Sequence, residues 1–285
     1  MACPETDLKH ANPRTTHDNE INCKEAGMNP VLDIAHYEKR YGDKIAVRDL
    51  SLAVEAGDIY GFIGHNGAGK TTLIRSIVGA QSIDGGTIRI CEHDVAREPV
   101  AAKRLLAYVP DNPDIYEFMT GIQYLTYIAD IFEVPAAARR ERIATLAERL
   151  EITDALGDTI GAYSHGMRQK LVLIGALLHE PKLLVLDEPF VGLDPVASHE
   201  LKAILHEVAT RGSAVFFSSH VLEVVEKLCN KVAIIRKGTL LASGPTEQVR
   251  GDSSLEDVFL GLVETPSTTV GTSAASAASS AEEAR

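Results

Sequence analysis

The sequence predicts an α/β fold interrupted by a helical segment, and three stretches predict it. Gly64–Thr72 (Gly-His-Asn-Gly-Ala-Gly-Lys-Thr-Thr) fills the phosphate-loop pattern G-x-x-x-x-G-K-[ST], with an apolar strand before it and a helix after it. Leu183–Pro189 (Leu-Leu-Val-Leu-Asp-Glu-Pro) is an apolar run ending in two acids, as a buried parallel strand reads at its carboxyl end. Between them, Gly121–Phe132 and Pro135–Leu150 change to a helical period.

In the first stretch, Gly64, Gly69, Lys70 and Thr71 occupy the four fixed slots, with Asn66, Gly67, Ala68 and Thr72 completing the cradle. Glycines let the backbone approach a phosphate at distances and φ values that a side chain forbids. The N–H groups of the loop and of the following helix attract negative charge. Lys70 supplies a point charge for the β- and γ-phosphates, and the Thr71 hydroxyl is a ligand for Mg²⁺. The chain is therefore expected to bind a nucleoside triphosphate.

The elements follow in order. Residues 1–30 are polar, without usable periodicity, and read as a mobile arm. Val31–Tyr37 and Ile45–Val54 read as strands joined by a turn at Gly42-Asp43, and Asp58–Ile63 as the strand feeding the loop. A strand pair is expected at Thr87–Cys91 and Leu106–Val109. In the helical segment, Ile122, Leu125, Ile128 and Phe132 share one face. Ile143, Leu146 and Leu150 share another, backed by a solvated Arg/Glu face that includes Arg139, Arg142 and Arg149. A helix over about His165–Leu178 precedes the acidic strand, and Asp194-Pro195 opens another with Asp194 as its cap. Then come a strand at Ala214–Ser218, a helix at Val221–Leu228 and a hairpin, Val232–Arg236 with Thr239–Ala242, around Lys237-Gly238. A helix at Leu255–Leu262 is last, with Leu255–Phe259 read as packing, and residues 263–285 form a disordered tail.

Composition sets limits. A net charge of −12 argues against nucleic-acid binding as the main role. Cys3, Cys23, Cys91 and Cys229 form no metal or redox spacing and read as reduced thiols. No signal-peptide core opens the chain, and no apolar run approaches the roughly 20 residues that span a bilayer. Work at a membrane would require another chain to do the spanning.

At the acidic strand, Asp187 is placed to hold Mg²⁺ opposite Thr71. Glu188, one residue further out, is placed to polarise the water that attacks the γ-phosphate. An isolated Asp-Glu pair can also be a solvated turn, but beside a phosphate loop the site reading is preferred.

With both sites in hand, the remaining motifs resemble those of the ATP-binding subunit of an ABC transporter, over about Val31 to Leu262. Tyr163–Lys170 falls at the family's signature segment. Gly192-Leu193-Asp194 is similar to its D-loop, and Ser218-Ser219-His220 to its switch histidine. Tyr41 stands where the adenine-stacking aromatic stands. The resemblance implies a P-loop NTPase core with a mixed sheet, an antiparallel β subdomain and an α-helical subdomain inserted at about 112–165. It implies head-to-tail dimers in which Ser164 and the Gly166 N–H reach the γ-phosphate from across the interface. Glu188 would be general base, His220 would hold the γ-phosphate and water, and Asp194 would link the two sites. A separate polytopic membrane subunit would dock its cytoplasmic helices in the groove between core and helical segment, which puts the chain on the cytoplasmic face of the plasma membrane.

Two departures stand out. His165 and Met167 replace a glycine and the glutamine of the usual signature, and Asp111 stands where the Q-loop glutamine is expected, adding a carboxylate ligand for Mg²⁺. Such variants are similar to exporter ATPases with a separate six-helix membrane subunit, including the Ecs type. The alternative is a soluble ABC-type ATPase acting on DNA or the ribosome, although the chain shows neither a coiled-coil insertion nor tandem ATPase halves. A GTPase is disfavoured because Asn230-Lys231 is followed by Val-Ala rather than completing a guanine reader.

Overall fold

Alternating apolar residues along β1 (Leu32–Tyr41) and β2 (Lys44–Val54) bury one face of an antiparallel pair turning at Gly42-Asp43. The structure is a computed structural model and describes residues 30–264. The arm and tail expected at the two ends lie outside those residues, but for Pro30 and the last turn of the final helix. The chain continues through β3 (Ile59–Ile63), the phosphate loop, α1 (Lys70–Ile77), β4 (Gly85–Ile90), β5 (His93–Asp94), α2 (Pro99–Leu105) and β6 (Leu106–Val109). The helical segment contributes α3 (Gly121–Ile131) and α4 (Ala136–Arg149). Then follow α5 (His165–Leu177), β7 (Leu183–Asp187), α6 (Pro195–Thr210), β8 (Ala214–Ser219), α7 (Leu222–Leu228), β9 (Lys231–Arg236), β10 (Thr239–Pro245), α8 (Thr246–Arg250) and α9 (Leu255–Glu264).

Two sheets result. One is antiparallel, in the order β2-β1-β4-β5; the other has the order β10-β9-β3-β8-β7-β6 and is parallel except for the edge strand β10. The parallel strands are buried on both faces, which is why they read as unbroken apolar runs. Ile63, Leu186, Phe217 and Ile234 pack into a core with α3 to α6. Their neighbours Phe62, Val185, Phe216 and Ala233 join the opposite core with α1 and the antiparallel sheet. Among the described residues no helix is long and apolar enough to cross a membrane.

Several expectations are corrected. The stretches at Thr87 and Leu106 do not pair: β4 belongs to the antiparallel sheet and β6 is the far edge of the parallel one. Between them lies α2, a single short helix with Pro99 at its start and too few residues to show a period. Strand β1 runs on to Tyr41 because register shifts and a positive φ at His36 keep it paired after Tyr37. In α3 the buried face is Tyr124, Leu125 and Ala129, while Ile122 is exposed; a capping box between Thr120 and Gln123 satisfies two N–H groups at its start. The arginines of α4 are not simply solvated. Arg149 bonds Glu200 and Glu207 of α6, and Arg142 bonds the Leu178 carbonyl and Glu180, so the helical segment is tied to the core by charge.

His179 closes the junction between α5 and β6. Its ring stacks on Phe132 with centroids 3.7 Å apart, and Nε2 meets the Leu106 carbonyl at 3.2 Å. Nδ1 is buried without a partner among the described residues. Burial holds the imidazole neutral and pushes its pKa down to about 4. The unfolded chain binds that proton near pH 6.5, so stability is lost as pH falls from about 6.5 to about 4. His179→Gln should flatten the pH dependence. In urea titrations the wild type should lose up to about 3 kcal/mol more than the variant between pH 7 and pH 4; parallel profiles would refute the assignment.

Candidate active site

The parallel register brings the site to one edge. Ile63 of β3 aligns with Ser219 of β8, and Asp187 of β7 with Ser218, so the ends of three strands stand side by side. The phosphate loop leaves β3 there, Glu188 leaves β7, and His220 leaves β8. Ligands in such sheets bind outside the carboxyl ends of the strands.

The loop needs its glycines for two different reasons. A Cβ at Gly64 would come within 2.6 Å of the Ile235 carbonyl, so the constraint there is space. Gly69, which precedes α1, has φ +113, a backbone that side chains disfavour, and also lies against Ala46. Inside the loop, the buried Lys70 donates from Nζ to the Gly64 carbonyl at 2.6 Å and stands 3.5 Å from Glu188. Its charge is held at the mouth of the α1 N-terminus, where the first N–H groups have no helical acceptor.

Asp187 is 4% exposed. One carboxylate oxygen accepts from the Ser218 hydroxyl at 2.5 Å and the other from Thr71 at 3.1 Å. Burial raises its pKa above the usual carboxylate range, with Glu188 and Asp111 adding to the rise and the two hydroxyls opposing it. Glu188 sits at φ +50, a conformation that costs a non-glycine residue roughly 1–2 kcal/mol. Its N–H bonds to Ser218, and its carboxylate is held between Lys70 and His220, whose Nδ1 lies 2.9 Å away. The strained backbone aims that carboxylate at the cleft.

The cleft beside these groups has a volume of about 670 Å³. Tyr41, Asn66, Gly67, Gly69, Lys70, Thr71, Thr72, Asp111, Asp187 and Glu188, all expected from the sequence, line it. Gly64 and Ala68 are buried within the loop, and His220 meets Glu188 without lining the cleft. Tyr41 is half exposed, and its hydroxyl donates to Gln81. Ser164, Gly166 and Asp194 do not line this cleft; they form a second cluster. Ser164 caps α5 and Asp194 caps α6; Lys170 bonds Asp194 at 3.2 Å, Gln169 donates to the Pro189 carbonyl at 3.0 Å, and His165 packs on Gly192.

Sequence reasoning missed Lys44, Ile45, Ala46, His65 and Lys237 on the cleft wall and Ser218 behind it. Ser218 was visible in the switch-histidine motif. Lys237 gave no signal, because it reaches the rim only through Gly238, whose N–H bonds the Ala68 carbonyl and whose own carbonyl accepts from Arg48.

The donor set suits a hard divalent cation: a hydroxyl from Thr71 and carboxylates from Asp187 and Asp111 face one cleft. Among the described residues no three acidic, histidine or cysteine side chains form a closed metal cage.

A glycine-cradled lysine at a helix mouth, facing a strand that ends in two acids, defines a P-loop nucleoside triphosphatase. The comparisons narrow the class. The ABC transporter family matches residues 47–191. The chain is 35% identical over 241 residues to the uncharacterized ABC transporter ATP-binding protein YhcH of Bacillus subtilis (strain 168), spanning 84% of this chain and 77% of that protein. It is 35% identical over 213 residues to the Nod factor export ATP-binding protein I of Burkholderia orbicola (strain AU 1054), spanning 75% and 70%. A solved structure described as the ATP binding subunit of an ABC transporter matches with TM-score 0.80 and 30% identity, over 82% of this chain and all of that one. A nucleotide-free ATP-binding cassette shares the fold, with TM-score 0.67 at 22% identity over 84% of this chain and 96% of that one. The chain belongs to the ABC transporter ATP-binding family. It binds ATP and is an ATPase of the kind that drives transport.

Ser218→Ala removes the hydroxyl that bonds both Asp187 and the Glu188 N–H. It should lower the unfolding free energy by about 1–3 kcal/mol in urea, with an unchanged circular dichroism spectrum. An unaltered midpoint would mean that this bond contributes nothing to the site.

Proposed function

We propose that this chain powers an exporter by closing on a second ATPase subunit around ATP and transmitting that motion to a separate transmembrane subunit. The observation that carries it is the convergence of Lys70, Thr71, Asp187, Glu188 and His220 at one sheet edge. The ATPase domain covers 31–262, with the helical subdomain at about 112–165 inserted in it.

In this reading Tyr41 stacks on adenine and the N–H groups from Gly64 to Thr72 hold the phosphates. Thr71, Asp187 and Asp111 would hold Mg²⁺, which would supply positive charge to the phosphate oxygens. Lys70 exchanges Glu188 for the β- and γ-phosphates when ATP enters, which frees the carboxylate to take a proton from the attacking water. His220 then orients Glu188 and the γ-phosphate. Ser164 and Gly166 lie outside their own chain's cleft, which supports their serving a partner's nucleotide, with Asp194 linking the two sites.

Export is supported by the relatives named for Nod factor export. A membrane partner is supported by the exposed apolar group near α3, where Tyr116 lies 5.8 Å from Phe118 and 6.0 Å from Tyr127, with Ile122 and Ile131 also exposed. Such a face suits the cytoplasmic helices of a polytopic subunit, and in this reading the chain sits peripherally at the membrane.

Glu188→Gln should lower ATP hydrolysis by about 10²–10⁴-fold while leaving ATP binding intact. Tagged and purified from solubilised membranes with ATP and Mg²⁺, it should bring down a polytopic membrane protein. Recovery of ribosomes or DNA-bound proteins instead would overturn the transporter reading. Ser164→Ala should suppress hydrolysis without loss of ATP binding, and undiminished turnover would refute the composite site.

A further inference from the structure

The C-terminal helix α9 reaches the phosphate loop. The ring of Phe259 meets that of His65 edge-on, with centroids 4.7 Å apart and planes at 60°. His65 is the residue after Gly64, exposed and on the cleft wall, whereas Phe259 is only 5% exposed. The loop backbone is fixed on its other flank by the Gly238 N–H on the Ala68 carbonyl, and the Ala68 N–H bonds the His65 carbonyl. The side chain of His65 is thus the outward handle of a loop whose backbone is held from within.

Helix α9 is itself anchored at both ends. The Leu255 N–H donates to Glu226 of α7 at 3.0 Å, and Leu255 is fully buried. Arg236, at the end of β9, donates to the Leu262 carbonyl at 3.2 Å. Phe259 lies between these anchors, so its place is set by α7 and β9 besides the loop it touches. An edge-to-face aromatic contact is directional as well as apolar. It fixes where His65, and with it the His65–Asn66 backbone, can sit.

We propose that Phe259 is a positioning residue for ATP: by holding His65 it keeps the first half of the phosphate loop in its binding conformation. The docking of α9 and the binding of ATP are then coupled. Coupling of binding free energies is reciprocal, so ATP tightens α9 as much as α9 tightens ATP. The proposal rests on the phosphate loop being the ATP site. Failure of that reading would show as Lys70→Ala leaving ATP affinity unchanged, an outcome separate from those below.

The test uses the full chain and a fluorescent N-methylanthraniloyl ATP. Phe259→Leu retains apolar volume in the core but removes the ring edge. It should raise the dissociation constant about 3–10-fold, raise KM similarly, and leave turnover at saturating ATP within twofold. His65→Ala should raise the constant by a like factor, and the double variant should be no weaker than the singles, because both remove one contact. Hydrogen exchange supplies an independent reading: ATP should slow exchange over 255–262 in the wild type and not in Phe259→Leu. A dissociation constant for Phe259→Leu within twofold of wild type, effects that multiply in the double variant, or exchange over 255–262 indifferent to ATP would each overturn the proposal.

Discussion

The buried carboxylate of Asp187 is the constraint on which the rest of the site depends. A carboxylate at 4% exposure is costly unless its oxygens are met, and among the described residues two hydroxyls meet it, from Thr71 and Ser218. Those hydroxyls come from different parts of the fold, one from α1 and one from β8. They can converge only because β3, β7 and β8 are parallel, adjacent and in register at their carboxyl ends. The sheet order is therefore a requirement of the chemistry. The residual electrostatic demand of Asp187, expressed in its raised pKa, is what a divalent cation would satisfy.

The same edge explains the strain at Glu188. An extended backbone after Asp187 would carry the next side chain to the opposite face of the sheet. The left-handed turn at φ +50 instead swings it between Lys70 and His220, and the bond from its N–H to Ser218 holds the turn. Ser218 thus supports both acids at once. Its neighbour Ser219 begins the turn that delivers His220, by accepting from the Val221 N–H. The last two residues of β8 thus position three functional side chains.

Much of this was legible in the sequence, for identifiable reasons. Strand β7 is legible because it is buried on both faces and stopped by acids, and α6 begins where Asp194-Pro195 opens it. The phosphate loop was legible because its residue types are demanded by backbone geometry. What escaped notice was set by tertiary contact. Helix α2 is too short for a period, and the exposure of Ile122 follows from how α3 meets α5. Lys237 and His65 reach the cleft because a hairpin turn and a loop are joined across the sheet by Gly238. The arginines of α4 looked like a solvated face until α6 supplied Glu200 and Glu207 as partners.

The second cluster has a mechanical consequence. Pro189 follows Glu188 directly, and its carbonyl accepts from Gln169 in the first half of α5. Five residues on, Asp194 is paired with Lys170 of the same helix. The segment from Asp187 to Asp194 is therefore pinned to α5 at two points, and α5 begins at Ser164. The two acids at the cleft and the start of α5 are thus parts of one body. A displacement of Glu188 on losing Lys70 to a triphosphate would be carried through Pro189 to the mouth of α5. The ties of Arg142 to the end of α5, and of Arg149 to α6, would then carry it to α4. Exposed links of this kind are weak one at a time, but a paired guanidinium fixes direction as well as distance, which is what transmission of a small movement requires.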